Sequence, residues 1–245
     1  MDWLEITLIG LIAGISGTGT GGLTMLFWKR PSDRFMGAVL GFSAGIMLSI
    51  VFLELVEEAL AISGLWTALA GLSTGLLVFW LLDNYLPHSH LFSAEKKYGS
   101  YLKKGMLIAV GIALHNFPEG LAIGAGYTAS PLVGLTLAIL IAVHNIPEGI
   151  AVAMPLRYGG SSKLQVLAIT ALAGTPMGAG AFLGAVIGSI SPFVLSLSLG
   201  FAAGAMLYIV CDELIPDAYQ VGGTHLPILG ISTGVILGVI LTARL

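Results

Sequence analysis

The sequence predicts an all-α polytopic membrane protein: eight transmembrane helices, with spans one to three related to six to eight as an inverted repeat around a central pair. Three observations carry this expectation. The 245 residues are 56% hydrophobic and only 9% charged, whereas a soluble domain carries about 25% charged residues. Apolar stretches of about 20 residues, the length that crosses a hydrocarbon core, recur along the whole chain. Finally, the segment running from Leu40-Gly41-Phe42 to Leu55 returns as Leu199-Gly200-Phe201 to Leu214, with eleven of sixteen aligned positions identical.

The apolar stretches lie near residues 4–28, 35–54, 65–86, 105–127, 131–156, 164–190, 193–214 and 226–244, forming one transmembrane domain over 1–245. Asp83 lies near the end of the third, which is therefore allowed one turn less. Met1-Asp2-Trp3-Leu4-Glu5 has no basic n-region, so the first stretch reads as a retained span and not a cleaved signal. Mean hydropathy is +0.97. The net charge of −3 gives no basis for nucleic-acid binding. The lone Cys211 permits neither an internal disulfide nor a thiolate cluster.

Basic residues orient the chain. Lys29, Arg30 and Arg34 follow the first span, Lys96, Lys97, Lys103 and Lys104 the third, and Arg157 and Lys163 the fifth. Nine of the ten Lys and Arg thus fall on one side. The positive-inside rule makes that side cytoplasmic and puts both termini outside. The longest connection, 87–102, carries His88 and His90, which read as a polar linker with a secondary option of touching a cytoplasmic metal ion.

The two repeated segments are five spans apart and so cross the membrane in opposite directions. Glu54 aligns with Glu213 and Met47 with Met206. Inverted repeats of this kind are a signature of secondary transporters, whose substrate site lies near the bilayer midplane.

The central pair carries the chemistry. His115-Asn116-Phe117-Pro118-Glu119-Gly120 sits in the fourth span and His144-Asn145-Ile146-Pro147-Glu148-Gly149 in the fifth. Each motif puts an imidazole and a carboxylate four residues apart, on one helix face. An ionised side chain at a bilayer centre costs roughly 2.5–3.5 kcal/mol, so the group needs a compensating partner, and a divalent cation is the simplest. Pro118 and Pro147 withhold an N–H from the carbonyls of Leu114 and Val143, leaving polar backbone at the same depth. The expected ligands are His115, Glu119, His144 and Glu148, with the amide oxygens of Asn116 and Asn145 nearby. This donor set suits Zn²⁺, Fe²⁺, Mn²⁺, Co²⁺ or Cd²⁺ better than Cu⁺. A sealed, protonated His/Glu network and a proton relay are the competing readings.

Other positions extend the site. Met47 offers a thioether, although methionine is more often packing. Glu54 at the outer end of span two, and Asp212 and Glu213 at the inner end of span seven, read as cation-attracting mouths or as solvated helix ends. Glu57, Glu58 and Asp217 read as interfacial. Glycine rows at Gly180, Gly184, Gly188 and at Gly230, Gly234, Gly238 read as close helix packing, with sliding or a dimer contact as further uses.

The paired His-Asn-x-Pro-Glu-Gly segments resemble the ZIP (Zrt/Irt-like) family of divalent-metal transporters, most closely its bacterial branch, and the resemblance covers the whole chain. It implies uptake of zinc, and in some members iron, manganese, cobalt or cadmium, into the cytoplasm across the cell membrane. It also implies ligands at His115, Asn116, Glu119, His144, Asn145 and Glu148, with Met47 as a further ligand in some relatives. A bundle of spans one, four, five and six would move against the rest, and two copies would pair as a homodimer. One departure stands out: many relatives have a Glu just before a proline in span six, where this chain has Thr175-Pro176. A second metal position should therefore be weaker than in those relatives. The alternatives are an intramembrane metalloenzyme, which would be expected to show His-Glu-x-x-His on one helix, a proton/cation antiporter and a metal sensor.

Overall fold

The computed structural model describes residues 2–27, 32–85 and 98–243. Lys29, Arg30, His88, His90, Lys96, Lys97 and Arg244 lie outside the described residues. Among the described residues every regular element is helical. Six helices are long and apolar enough to cross a membrane, and a seventh apolar helix is shorter.

The elements in order are α1 (Trp3–Phe27), α2 (Asp33–Ile50), α3 (Val56–Tyr85), α4 (Tyr98–Ala129), α5 (Pro131–Tyr158), α6 (Lys163–Gly174), α7 (Pro176–Gly188), α8 (Pro192–Ile209), α9 (Ile215–Gly222) and α10 (Leu226–Thr242). Their starts follow from side-chain caps. Ser32, Ser130, Ser162 and Ser191 each accept a hydrogen bond from the backbone N–H three residues on. Pro131 and Pro192 follow two of these serines, where a missing N–H costs nothing. Gln165 completes a capping box with Ser162.

Several boundaries differ from the sequence reading. The second and seventh stretches do not end at Glu54 and Leu214. Each passes through a π turn, Val51–Leu55 after α2 and Val210–Leu214 before α9, and continues as helix. The reversals come later, at Gly64 (φ 76°, ψ −178°) within α3 and at Gly223 (φ 74°, ψ −153°) after α9. No atom lies within 4 Å of a Cβ built on either glycine, so backbone conformation and not packing demands glycine there. The sixth stretch is broken at Thr175 into α6 and α7 because Pro176 cannot donate to the carbonyl of Leu172. Thr175 fills that carbonyl instead, with its backbone N–H at 3.1 Å and its hydroxyl at 2.8 Å. By contrast, α4 runs on through Pro118 and α5 through Pro147.

Two sets of helices emerge from the contacts. In one, α1 packs on α5 and α7, and α4 on α5 and α7; in the other, α2 packs on α10 and α3 on α8. The sets meet where α4 touches α8 and α2 touches α5. Within each set, backbones approach through glycine. A side chain at Gly120 would run into the carbonyl of Met177, and one at Gly149 into that of Thr18. The glycine rows are spent inside the chain: Gly180 and Gly184 face α4, while Gly230 and Gly234 face α2. Many large apolar residues are exposed, among them Trp66, Leu77, Leu132, Phe193 and Ile236, as a lipid-facing surface requires. The chain is a multi-pass membrane protein.

Candidate metal centre

The two motifs meet where α4 crosses α5. His115, Asn116, Glu119, His144, Asn145 and Glu148 are all buried, none more than 5% exposed. The i, i+4 spacing puts Glu148 beside His144 of its own motif, and Glu119 reaches across to the same imidazole, while Gly120 and Gly149 admit α7 and α1 closely behind.

Glu119, His144 and Glu148 form one cluster, with a ligand atom of each within 4.8 Å of the others. His144 Nε2 lies 3.0 Å from Glu119 Oε1 and 3.9 Å from Glu148 Oε1. Two donors on a tetrahedral Zn²⁺, each at about 2.0–2.1 Å, stand about 3.3 Å apart, within the range of these spacings. His144 Nδ1 faces the carbonyl oxygen of Leu140 at 3.3 Å, an atom that only accepts, so Nδ1 carries the proton. In the neutral ring Nε2 then presents a lone pair to a carboxylate oxygen, an arrangement that calls for a shared cation. Neither oxygen of Glu148 has a hydrogen-bond partner, and both are buried. A buried carboxylate left this way is unfavourable while ionised unless a cation or a proton joins it.

His115 is turned elsewhere. Its Nε2 lies 3.2 Å from Glu213 Oε2 in the second π turn. The sequence reading grouped His115 with Glu119 and put Glu213 at a distant mouth; instead the two are neighbours. The π turn bonds i to i+5 where an α-helix bonds i to i+4, which re-aims the side chains on it. The signal in the sequence was the alignment of Glu213 with Glu54. Asp212 sits beside Glu213, partly exposed.

Asn116 and Asn145 join across the helix pair, Asn145 Nδ2 donating to Asn116 Oδ1 at 2.8 Å and to Glu119 Oε2 at 3.3 Å. Asn116 Nδ2 donates to the carbonyls of Ile112 (3.0 Å) and Ala173 (2.9 Å). The hydroxyl of Thr175 is directed to Leu172. Met47 and Met206 are fully buried. Ser43, one turn before Met47 on α2, donates to the carbonyl of His144 at 3.1 Å. Sequence reading missed this contact, and Ala202 at the matching position of the repeat gave no hint of it.

Glu54 lies in the first π turn, 8% exposed. It lines a cavity of about 230 Å³ with Glu57, Glu58, Thr136 and Thr242. Asp217, expected at the interface, is 3% exposed: the helix continues past Leu214 and carries it inward.

Comparison with known proteins decides the family. The family model for the ZIP Zinc transporter matches residues 88–242. The chain belongs to the ZIP family. This ZIP-family chain is 38% identical over 247 residues to a protein of Chlorobium luteolum named Zinc transporter ZupT, covering 93% of this chain and 92% of that one. It is 35% identical over 257 residues to a protein of the same name from Corynebacterium efficiens, covering 96% of each. A third of that name, from Nitratidesulfovibrio vulgaris, is 35% identical over 252 residues and 91% of each chain. The family is one of transporters and not of enzymes, so the metalloenzyme alternative falls away.

Proposed function

We propose that this chain takes up zinc into the cytoplasm across the cell membrane, by alternating access around the Glu119–His144–Glu148 cluster. The observation that carries this reading is the pair of unpartnered, buried oxygens of Glu148 beside a His144 whose Nε2 also faces a carboxylate. The name Zinc transporter ZupT, shared by relatives that match nearly the whole chain, supports zinc as cargo. Fe²⁺, Mn²⁺ and Co²⁺, of hard-to-borderline character, and the softer Cd²⁺ belong to the reading as secondary cargo.

Eight crossings follow if α2 with the first part of α3, the rest of α3, and α6 with α7 each count as one span. Both termini then face outward. An inverted repeat with a shift of 159 residues agrees with the geometry: the π turns at Val51 and Val210, and the positive-φ glycines Gly64 and Gly223, all keep that shift. So do the packing partners. The α2–α10 contact corresponds to α8–α3, and α1–α5 to α7–α4. The division into two helix sets supports a moving bundle of α1, α4, α5, α6 and α7. In this orientation the Glu54 cavity is an outer mouth that attracts cations, and Asp212 and Glu213 lie on the inward path. Met47, one turn from Ser43, is a further ligand in this reading. The pairing of two copies rests on the family resemblance alone.

The test is growth of a bacterial strain stripped of its own zinc importers. The wild-type chain is expected to restore growth at limiting zinc, and a Glu119→Ala/Glu148→Ala double variant, present in the membrane at equal level, is not. Equal rescue by the double variant would refute the cluster, and failure of the wild type would refute import.

A further inference from the structure

Two fixed shifts relate single contacts inside each helix set: 159 residues between the halves of the repeat, and 29 between the two motifs. In one set Gly21 meets the carbonyl of Ile146 as Gly180 meets that of Phe117. In the other, Gly45 meets the carbonyl of Ile231 as Gly204 meets that of Leu72.

Between the sets the correspondence fails. His115 Nε2 lies 3.2 Å from Glu213 Oε2, and the same shifts map this pair onto His144 and Glu54. Yet His144 Nε2 faces Glu119 and Glu148, while Glu54 lines a cavity with Thr136. Thr136 precedes His144 by eight residues on α5, about 12 Å along the axis at 1.5 Å per residue. The Ser43 hydroxyl is one-sided too. It donates to the carbonyl of His144, whereas its mate Ala202 has no hydroxyl to offer His115.

Symmetry kept within each set and broken between them marks two bodies displaced from a common axis. The opposite displacement reuses the same contacts with the halves exchanged, which is how inverted repeats make two states from one fold. Applying the shifts to the Glu119–His144–Glu148 cluster gives Glu148, His115 and Glu119.

We infer that the two motif histidines exchange places when the sets slide: in the opposite-facing state His115 joins Glu119 and Glu148 at the ion, and Glu54 holds His144. This rests on the cluster and the alternating access proposed above. Both carboxylates stay with the ion, because the shift of 29 maps each onto the other. Only the imidazole alternates. Glu213 in this state and Glu54 in the other are positioning residues that keep the idle ring away from the ion. The exchange gives a task to each copy of the motif, although one imidazole is turned aside here. Ser43 favours the state seen here, since Ala202 cannot make the equivalent bond in the other.

The test traps each state by a disulfide in the full chain carrying Cys211→Ser, oxidised in liposomes. A disulfide needs Cβ atoms about 3.5–4.5 Å apart. His115→Cys/Glu213→Cys captures the arrangement seen here and controls for folding. His144→Cys/Glu54→Cys is expected to cross-link as well. The first trapped chain should bind Zn²⁺ through His144, and the second through His115. Adding His144→Ala to the first, or His115→Ala to the second, should weaken binding by about tenfold or more, no less than the loss of a group that merely orients a ligand. Ala202→Ser should raise the yield of the 54/144 cross-link.

A 115/213 cross-link without a 54/144 cross-link would overturn the inference. So would a second trapped chain that binds no Zn²⁺, or whose binding ignores His115→Ala. A Glu119→Ala/Glu148→Ala chain that binds Zn²⁺ like wild type would sink the cluster itself, whatever the cross-links show. Should the cysteine variants misfold, a zinc-loaded, outward-facing structure of the unmodified chain decides. It must place a His115 ring nitrogen about 2.0–2.1 Å from zinc and His144 on Glu54, and His144 on zinc in that state would overturn the exchange.

Discussion

His115 Nε2 and Glu213 Oε2 lie 3.2 Å apart and join the two helix sets across the α4–α8 contact. Ser43 makes the second such link, from α2 to the carbonyl of His144. Both connect the motif-bearing pair to helices that would move relative to it during transport. If the two sets move against each other as proposed, a bond across that boundary breaks in each cycle and its strength sets part of the barrier.

Glu213→Gln is therefore expected to alter transport rate and leave zinc binding at the Glu119–His144–Glu148 cluster intact. A hydrogen bond to a charged group contributes about 1.5–3 kcal/mol, which corresponds to a rate change of about tenfold or more. Initial rates in vesicles, set beside equilibrium zinc affinity, check this. A parallel loss of affinity would mean that Glu213 binds the ion.

The exposed need of Glu148 for a cation has a stability consequence. Replacing its unpartnered carboxylate with an apolar side chain in Glu148→Leu should stabilise the metal-free protein by about 1 kcal/mol or more, and raise its Tm by about 2–4 °C. The same variant should lose the stabilisation that added zinc gives the wild type. Thermal unfolding with and without zinc measures both. A lower metal-free Tm would indicate that Glu148 has a protein partner.

Close backbone approach predicts a sharp contrast among glycines. Gly149→Ala sets a methyl against the carbonyl of Thr18 and should destabilise by about 1–3 kcal/mol, with loss of zinc uptake. Gly111→Ala on α4 meets nothing within 4 Å and should be neutral, or stabilising by about 0.5–1 kcal/mol through helix propensity. Unfolding temperatures of the two variants, measured in the same detergent, test the packing directly.

Much of this site was legible because its signals are chemical and local. The i, i+4 spacing puts Glu148 beside His144 as expected, whereas the same spacing in the first motif did not foretell that His115 turns to Glu213. Helix ends were less legible. Charge at Glu54 and at Asp212-Glu213 reads as an exit from the membrane, yet π turns carry these residues inward and the chain reverses only at Gly64 and Gly223. A π turn has no composition of its own, so its only trace was that both copies of the repeat place a Glu at the same register. The break at Thr175 was signalled by Pro176, but an apolar run on both sides masked it. Pairing of His115 with Glu213 depends on long-range packing of α4 against α8, which no local pattern encodes.

Reconstitution of the purified chain in liposomes, with a zinc-responsive dye sealed inside, tests whether zinc crosses the membrane through the Glu119–His144–Glu148 cluster. External zinc is expected to produce a rising signal with the wild type and none with the Glu119→Ala/Glu148→Ala double variant. An equal signal from the double variant, or no signal from a wild type that binds zinc, would contradict this expectation.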